Sequence, residues 1–211
     1  MNIIFKPIKY NFTRNPNRKI EYIVIHDTGN PRAGANAERH YIYFNGGNRG
    51  ASAHFFVDDK EIIQTVRDSD VAWGVGDGEG RYGITNTNSL NIEMCINSDG
   101  DFTKTLNSTV ELTKHLMDKH KIVNDKVVRH FDASRKNCPA ILNNPNWQGW
   151  IAFKNMLRTT PSPEVKHQPH WAEPYYKYLT DNGITIHEKR FDDRMTRGEV
   201  FALLARMKGY K

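Results

Sequence analysis

Glu21-Tyr22-Ile23-Val24-Ile25-His26-Asp27-Thr28-Gly29 is a short apolar run, rich in β-branched residues, that halts at a glycine. Brief length and branched side chains mark it as a buried strand. Downstream, Ala37, His40, Tyr41 and Phe44 follow the i, i+3, i+4, i+7 rule, so the spacing predicts a helix closing at Gly46-Gly47. Residues 54–57 and 62–66 predict a hairpin that turns at Asp58-Asp59-Lys60. Residues 89–97 alternate, with Leu90, Ile92, Met94 and Ile96 on one face and Asn91, Glu93, Cys95 and Asn97 on the other. Leu106, Val110, Thr113, Leu116 and Met117 mark a second helix, and residues 126–130 a strand ending at His130. Asn144 as cap and Pro145 at the first position predict a last helix, with Trp147, Trp150, Ile151 and Leu157 as its buried stripe. Strands interleaved with helices imply an α/β domain, and the hairpin makes its central sheet mixed, with helices flanking it.

The chain has 211 residues, 38% of them hydrophobic and 26% charged. That is too apolar for a disordered chain and long enough to bury a core without covalent staples. Two cysteines are too few for a disulfide scaffold. No stretch approaches the roughly 18 consecutive apolar residues of a membrane span. The first 19 residues mix Asn, Lys, Arg and Pro without an apolar centre, so no secretory signal is expected. The 30 Lys and Arg outweigh the 24 Asp and Glu, for a net charge of +6. A basic surface suits an anionic partner. The charge is spread along the chain with no basic run, which counts against nucleic acid.

One composition break divides the chain. Thr159-Thr160-Pro161-Ser162-Pro163-Glu164 reads as a semi-rigid linker. Beyond it, Trp171, Tyr175, Tyr178, Leu179 and Asn182 make a helical stripe that stops at Gly183-Ile184. Thr196-Arg197-Gly198-Glu199 is a capping box, followed by a stripe of Val200, Leu203, Leu204 and Met207. The tail therefore predicts a small helical hairpin.

His26, His130 and Cys138 are soft or borderline metal ligands placed at strand ends and in a loop. Zinc takes imidazole nitrogen and thiolate sulfur, and three protein ligands with one open position is the catalytic pattern. Their spacing matches no zinc-finger or zincin template. Taken singly, each reads first as structural, and a lone cysteine as a small buried hydrophobe.

Five blocks in order change that balance. Ile23-Val24-Ile25-His26-Asp27-Thr28-Gly29, Ala51-Ser52-Ala53-His54-Phe55-Phe56-Val57, Ala72-Trp73-Gly74-Val75-Gly76, Ser89-Leu90-Asn91-Ile92-Glu93-Met94, and Arg129-His130-Phe131-Asp132 with Arg135-Lys136-Asn137-Cys138-Pro139 resemble the zinc-dependent N-acetylmuramoyl-L-alanine amidases of the phage-lysozyme and peptidoglycan-recognition type. The resemblance covers roughly residues 20–157. It implies a peptidoglycan-recognition-like fold over residues 1–158, Zn2+ as cofactor, and His26, His130 and Cys138 as its ligands. It implies hydrolysis of the amide between N-acetylmuramic acid and L-alanine. Glu93, on the polar strand face, would take the water's proton and pass it to the leaving amine. Lys136 would stabilise the developing oxyanion. His54, Trp73, Asp27 and Thr28 would line the substrate groove. Cys95 reads as packing. Two departures stand out. Some relatives carry a tyrosine where this chain has Ala53, and many carry a histidine where it has Gly74.

After a linker at residues 159–168, residues 169–211 resemble a single S-layer homology motif. That implies binding to an anionic secondary polymer of Gram-positive walls, with self-association as a way to supply missing copies. A helical hairpin docked on the amidase is the structural alternative. The expected protein is an endolysin or autolysin acting on Gram-positive peptidoglycan, made in the host cytoplasm without a signal peptide and active at the cell wall after release. No nucleic acid and no integral membrane segment are expected. The rival readings are a catalytically silent peptidoglycan-binding protein and a surface-layer-associated structural protein.

Overall fold

The computed structural model of the chain describes residues 1–158 and 173–183. The chain divides into two compact units, Met1–Thr160 and Pro161–Lys211. The linker at 159–168 lies outside the described residues. So does most of the segment 169–211 for which a wall-binding motif was expected, including Trp171, the expected capping box at Thr196 and the expected stripe at Val200, Leu203, Leu204 and Met207. Within the second unit one helix is described, Glu173–Asp181, followed by Gly183 at a φ of 83°.

The first unit carries eight described strands: β1 (Ile3–Phe5), β2 (Phe12–Thr13), β3 (Tyr22–Asp27), β4 (Phe55–Val57), β5 (Ile62–Gln64), β6 (Val71–Ala72), β7 (Ser89–Met94) and β8 (Val127–Arg129). Six form one mixed sheet in the order β1-β5-β4-β7-β3-β8, while β2 and β6 make a separate antiparallel pair. β4, β7, β3 and β8 run parallel to one another, and the β4–β5 hairpin supplies the antiparallel step. Its turn is held by Asp58. One Asp58 oxygen accepts from the backbone of Lys60 and Glu61 at 2.7 and 2.8 Å, and the other from Ala37 at 2.9 Å. The same carboxylate thus ties the hairpin to the start of α1 (Ala37–Asn45).

Central parallel strands are covered on both faces, and the alternation along β3 and β7 sorts their side chains between two environments. Ile23 and Ile25 of β3 and Leu90, Ile92 and Met94 of β7 join the main core. α2 (Phe102–His120) and α4 (Gln148–Arg158) close that face with Val110, Leu112, Leu116, Trp150, Phe153 and Leu157. At the opposite positions Val24, His26 and Asn91 are just as inaccessible and Glu93 is half-buried, and they look into the half of the unit that holds the candidate site. Register places His26 opposite Glu93 and Val24 opposite Asn91.

Two sequence expectations need correction. Asn144 and Pro145 do not open α4. Asn146 and Trp147 take φ of 51° and 62°, so the chain turns once more before the helix begins at Gln148. The later start changes the buried stripe to Trp150, Phe153 and Leu157, and leaves Ile151 46% exposed. His130 does not end β8 but opens a short helix, α3 (His130–Ser134). Asp132 fixes that switch. It accepts from the Arg129 backbone N–H at 2.9 Å and from its guanidinium at 3.0 and 2.6 Å. No helix among the described residues is long and apolar enough to cross a membrane.

Candidate active site

His26, His130 and Cys138 converge. One potential ligand atom from each lies within 4.8 Å of the others, and all three residues are buried. His26 comes from the end of β3, His130 from the first position of α3, and Cys138 from the loop after α3. That loop is clipped to both elements. The Phe131 N–H donates to the Cys138 carbonyl at 2.9 Å, and the Ile141 N–H donates to the Asp27 carboxylate at 2.8 Å. Asp27 also accepts from the Gly29 N–H at 3.0 Å.

The two imidazoles are held from behind. His26 Nε2 donates to Asn91 Oδ1 at 3.0 Å, and His130 Nε2 donates to Asp77 Oδ1 at 2.8 Å. Each ring therefore presents the lone pair of Nδ1. His26 Nδ1 faces Cys138 Sγ at 3.8 Å and Glu93 Oε1 at 3.9 Å. His130 Nδ1 is buried with no protein partner. An unpaired buried acceptor is costly, and here it sits beside a thiol and a second free lone pair. Three ligands each roughly 2.0–2.3 Å from one tetrahedral ion would lie about 3.5 Å apart. The donor set and its backing by an amide and a carboxylate both fit such an ion.

The electrostatics point the same way. Burial, then the neighbouring His130, pushes His26 down to about 3, and burial also lowers His130 against the pull of Asp77. Both rings are thus neutral and able to ligate. Burial and the charge of Glu93 push the Cys138 thiol up to about 12, so it needs a cation beside it to ionise. Burial, then the charge of Asp27, raises Glu93 to about 8 against the opposing pull of Lys136. Glu93 Oε2 is buried and unpartnered. A carboxyl poised near neutrality with a free oxygen suits proton transfer.

A hollow of about 290 Å³ opens over these groups, lined among others by Thr28, Trp73, Glu93 and Lys136. It continues past Trp73 and Lys136 into a cleft of about 510 Å³ bounded by Gly50, Asp77 and Asn86. On the other side Thr28 and Phe44 lead to a hollow of about 360 Å³ with Arg39 and Tyr43. The cluster thus lies midway along a continuous groove.

The sequence-selected residues divide. Thr28, Trp73, Glu93 and Lys136 meet at this groove with the three candidate ligands. Asp27 reaches its floor, but both carboxylate oxygens are committed to backbone N–H groups. His54 does not line the groove. It is fully buried, its Nδ1 accepts from the Asn91 N–H at 3.0 Å and its Nε2 donates to the Asp70 carbonyl at 3.1 Å. Burial and the charge of Arg18 push it down to about 3, so it is a neutral brace behind β7. Asp77 and Asn91 were missed as site residues. Asp77 stands on a turn that Gly78 lets lie against α3, where a Cβ would come within 2.2 Å of the Ala133 carbonyl oxygen. Burial works to raise the Asp77 carboxyl, yet His130 and Ser134 hold it below its ordinary value. The one signal available was position: Asn91 is a polar residue two places before Glu93 on the same strand face.

Residues 16–141 match the family described as N-acetylmuramoyl-L-alanine amidase, Amidase_2. The chain is similar to N-acetylmuramoyl-L-alanine amidase CwlH of Bacillus subtilis (strain 168), with 34% identity over 153 residues, covering 72% of this chain and 59% of CwlH. It is 39% identical over 133 residues to N-acetylmuramoyl-L-alanine amidase XlyA of the same organism, covering 63% of this chain and 42% of XlyA. The matches thus span about half the length of these relatives. Among solved structures, the catalytic domain of XlyA superposes with a TM-score of 0.65 at 36% identity, over 74% of this chain and 99% of that one. PlyL superposes with a TM-score of 0.64 at 30% identity, over 75% and 98%.

Proposed function

We propose that this chain, which belongs to the N-acetylmuramoyl-L-alanine amidase family, hydrolyses the amide bond between N-acetylmuramic acid and L-alanine in peptidoglycan as a wall-lytic enzyme of the endolysin or autolysin kind. The observation that carries the reading is the convergence of two buried Nδ1 lone pairs and one buried thiol in mid-groove, each ring backed through Nε2. His26, His130 and Cys138 would hold zinc. When bound, zinc polarises the scissile carbonyl and lowers the pKa of a water it holds from about 16 to about 7.

The remaining steps fall to the chain's own groups. The Glu93 carboxylate accepts the proton of the attacking water at its free oxygen and returns it to the departing alanine nitrogen. The Lys136 ammonium, at the groove edge, meets the negative charge that grows on the carbonyl oxygen. Trp73 supplies a broad wall against which the substrate lies, and the two ends of the groove give room for sugar and peptide on either side of the bond. The family's second-strand tyrosine is replaced by Ala53, which is buried, so proton transfer rests on Glu93. Residues 169–211 would bind an anionic wall polymer and hold the enzyme on its substrate, a reading supported by their resemblance to an S-layer homology motif.

Digestion of purified Gram-positive peptidoglycan tests the activity. New N-terminal alanine without new reducing sugar ends is expected. Reducing ends without alanine would assign a glycosidic bond instead. Binding without either product would favour the catalytically silent reading.

A further inference from the structure

We infer that Asn91 is the positioning residue for the ligating nitrogen of His26, and that Gly74 is a glycine so that Asn91 can do this. The inference rests on the metal reading proposed above. Asn91 is fully buried in the middle of β7. Its Oδ1 accepts from His26 Nε2 at 3.0 Å. A ring that keeps its hydrogen on Nε2 has its lone pair on Nδ1, the atom 3.8 Å from Cys138 Sγ. One side-chain oxygen thus sets both the tautomer and the tilt of the ring. His130 receives the same service from the carboxylate of Asp77, so the two ligands are backed by unlike groups.

Packing alone does not account for Asn91. Its Nδ2 is buried with no partner, a lasting cost that an apolar residue of similar size would avoid. Its oxygen is the part with a task. Gly74 supplies the second observation. A Cβ at this position would sit 2.6 Å from both Cγ and Oδ1 of Asn91. The Gly74 backbone is in a region open to any residue, and its N–H simply donates to Asn86 Oδ1 at 3.0 Å. The three atoms nearest to that Cβ all belong to the Asn91 side chain.

The test uses the full chain, with zinc affinity measured by competition against a chromophoric chelator. The His26 tautomer is read by nitrogen-15 NMR of the metal-free protein at neutral pH. Asn91→Ala and Gly74→Ala should each weaken zinc binding by about 10- to 100-fold, and each should lose the pure Nε2–H tautomer of His26. Gly74→Ala should have almost no further effect once Asn91 is already alanine, because it acts through that side chain. Asn91→Asp retains an acceptor and should hold the tautomer. If Asn91→Ala fails to fold, Gly74→Ala is judged by the same two readouts. Wild-type affinity and tautomer in the alanine variants, or losses that add in the double variant, would overturn the inference while leaving the metal site standing. A wild-type chain that took up no zinc would overturn the metal reading and this inference together.

Discussion

At the scale of single residues, the proposed metal-holding and proton-transfer roles predict different losses. Cys138→Ala removes one of the three candidate ligands, so zinc content and wall-lytic activity should disappear together. Glu93→Gln keeps the shape of the side chain but cannot take a proton. Its zinc content should be unchanged, and turnover on a soluble muropeptide should fall by about a hundred- to ten-thousand-fold. Loss of zinc from that variant would make Glu93 a ligand, and near wild-type turnover would move the general base elsewhere. Lys136→Met should also keep zinc, with a loss of about a hundred- to a thousand-fold if the ammonium meets the oxyanion. The residues proposed to bear the chemistry were selected from their types and from the motif blocks around them, and the fold brings them together. Their supports were not legible in the sequence. Asp77 reaches His130 across 53 positions of sequence, a hydrogen bond with no periodicity to announce it. His54 was misplaced for a related reason: a histidine with both nitrogens bound to backbone looks, in sequence, like one facing a groove.

At the scale of elements, periodicity located the strands and helices that carry a long apolar pattern and failed at their edges. β3 was visible as a brief run of β-branched residues, β7 by its alternation of apolar and polar types, and α2 because its buried positions recur near period 3.6. β1, β2 and β6 are only two or three residues long, too short to show a period. The start of α4 was misread because Asn and Pro are strong local signals, whereas a left-handed conformation at Trp147 is one that its residue type does not announce. That difference can be measured. Phe153→Ala, which empties a fully buried site in the core, should cost about 3–5 kcal/mol, while Ile151→Ala on the exposed face should change stability by less than about 0.5 kcal/mol. Equal costs in chemical denaturation would return Ile151 to the buried stripe. Asp58→Ala should cost about 1–3 kcal/mol, because it leaves the buried Ala37 N–H and the part-buried N–H groups of the hairpin turn unpaired.

At the scale of the whole molecule, the two compact units suggest a division of labour that truncation can test. All the candidate site residues lie before Thr160. A chain ending at Thr160 should cleave soluble muropeptides at close to the full rate and bind intact walls less well, with the difference greatest at low salt if the polymer is anionic. Equal wall binding would remove the targeting role. Within the first unit, His26 and Cys138 stand 112 residues apart in the chain, on segments joined by non-local contacts: the β3–β8 pairing and the hydrogen bond of the Ile141 N–H to Asp27. Pairings of that kind close late in folding. The three candidate ligands are therefore expected to meet only after the folding transition state, so that an ion held by them would brake unfolding rather than nucleate folding. Saturating zinc should leave the refolding rate unchanged and slow unfolding by nearly the whole factor by which it stabilises the protein. Stopped-flow traces recorded with and without the ion would show this as one displaced limb of the denaturant plot and one shared limb.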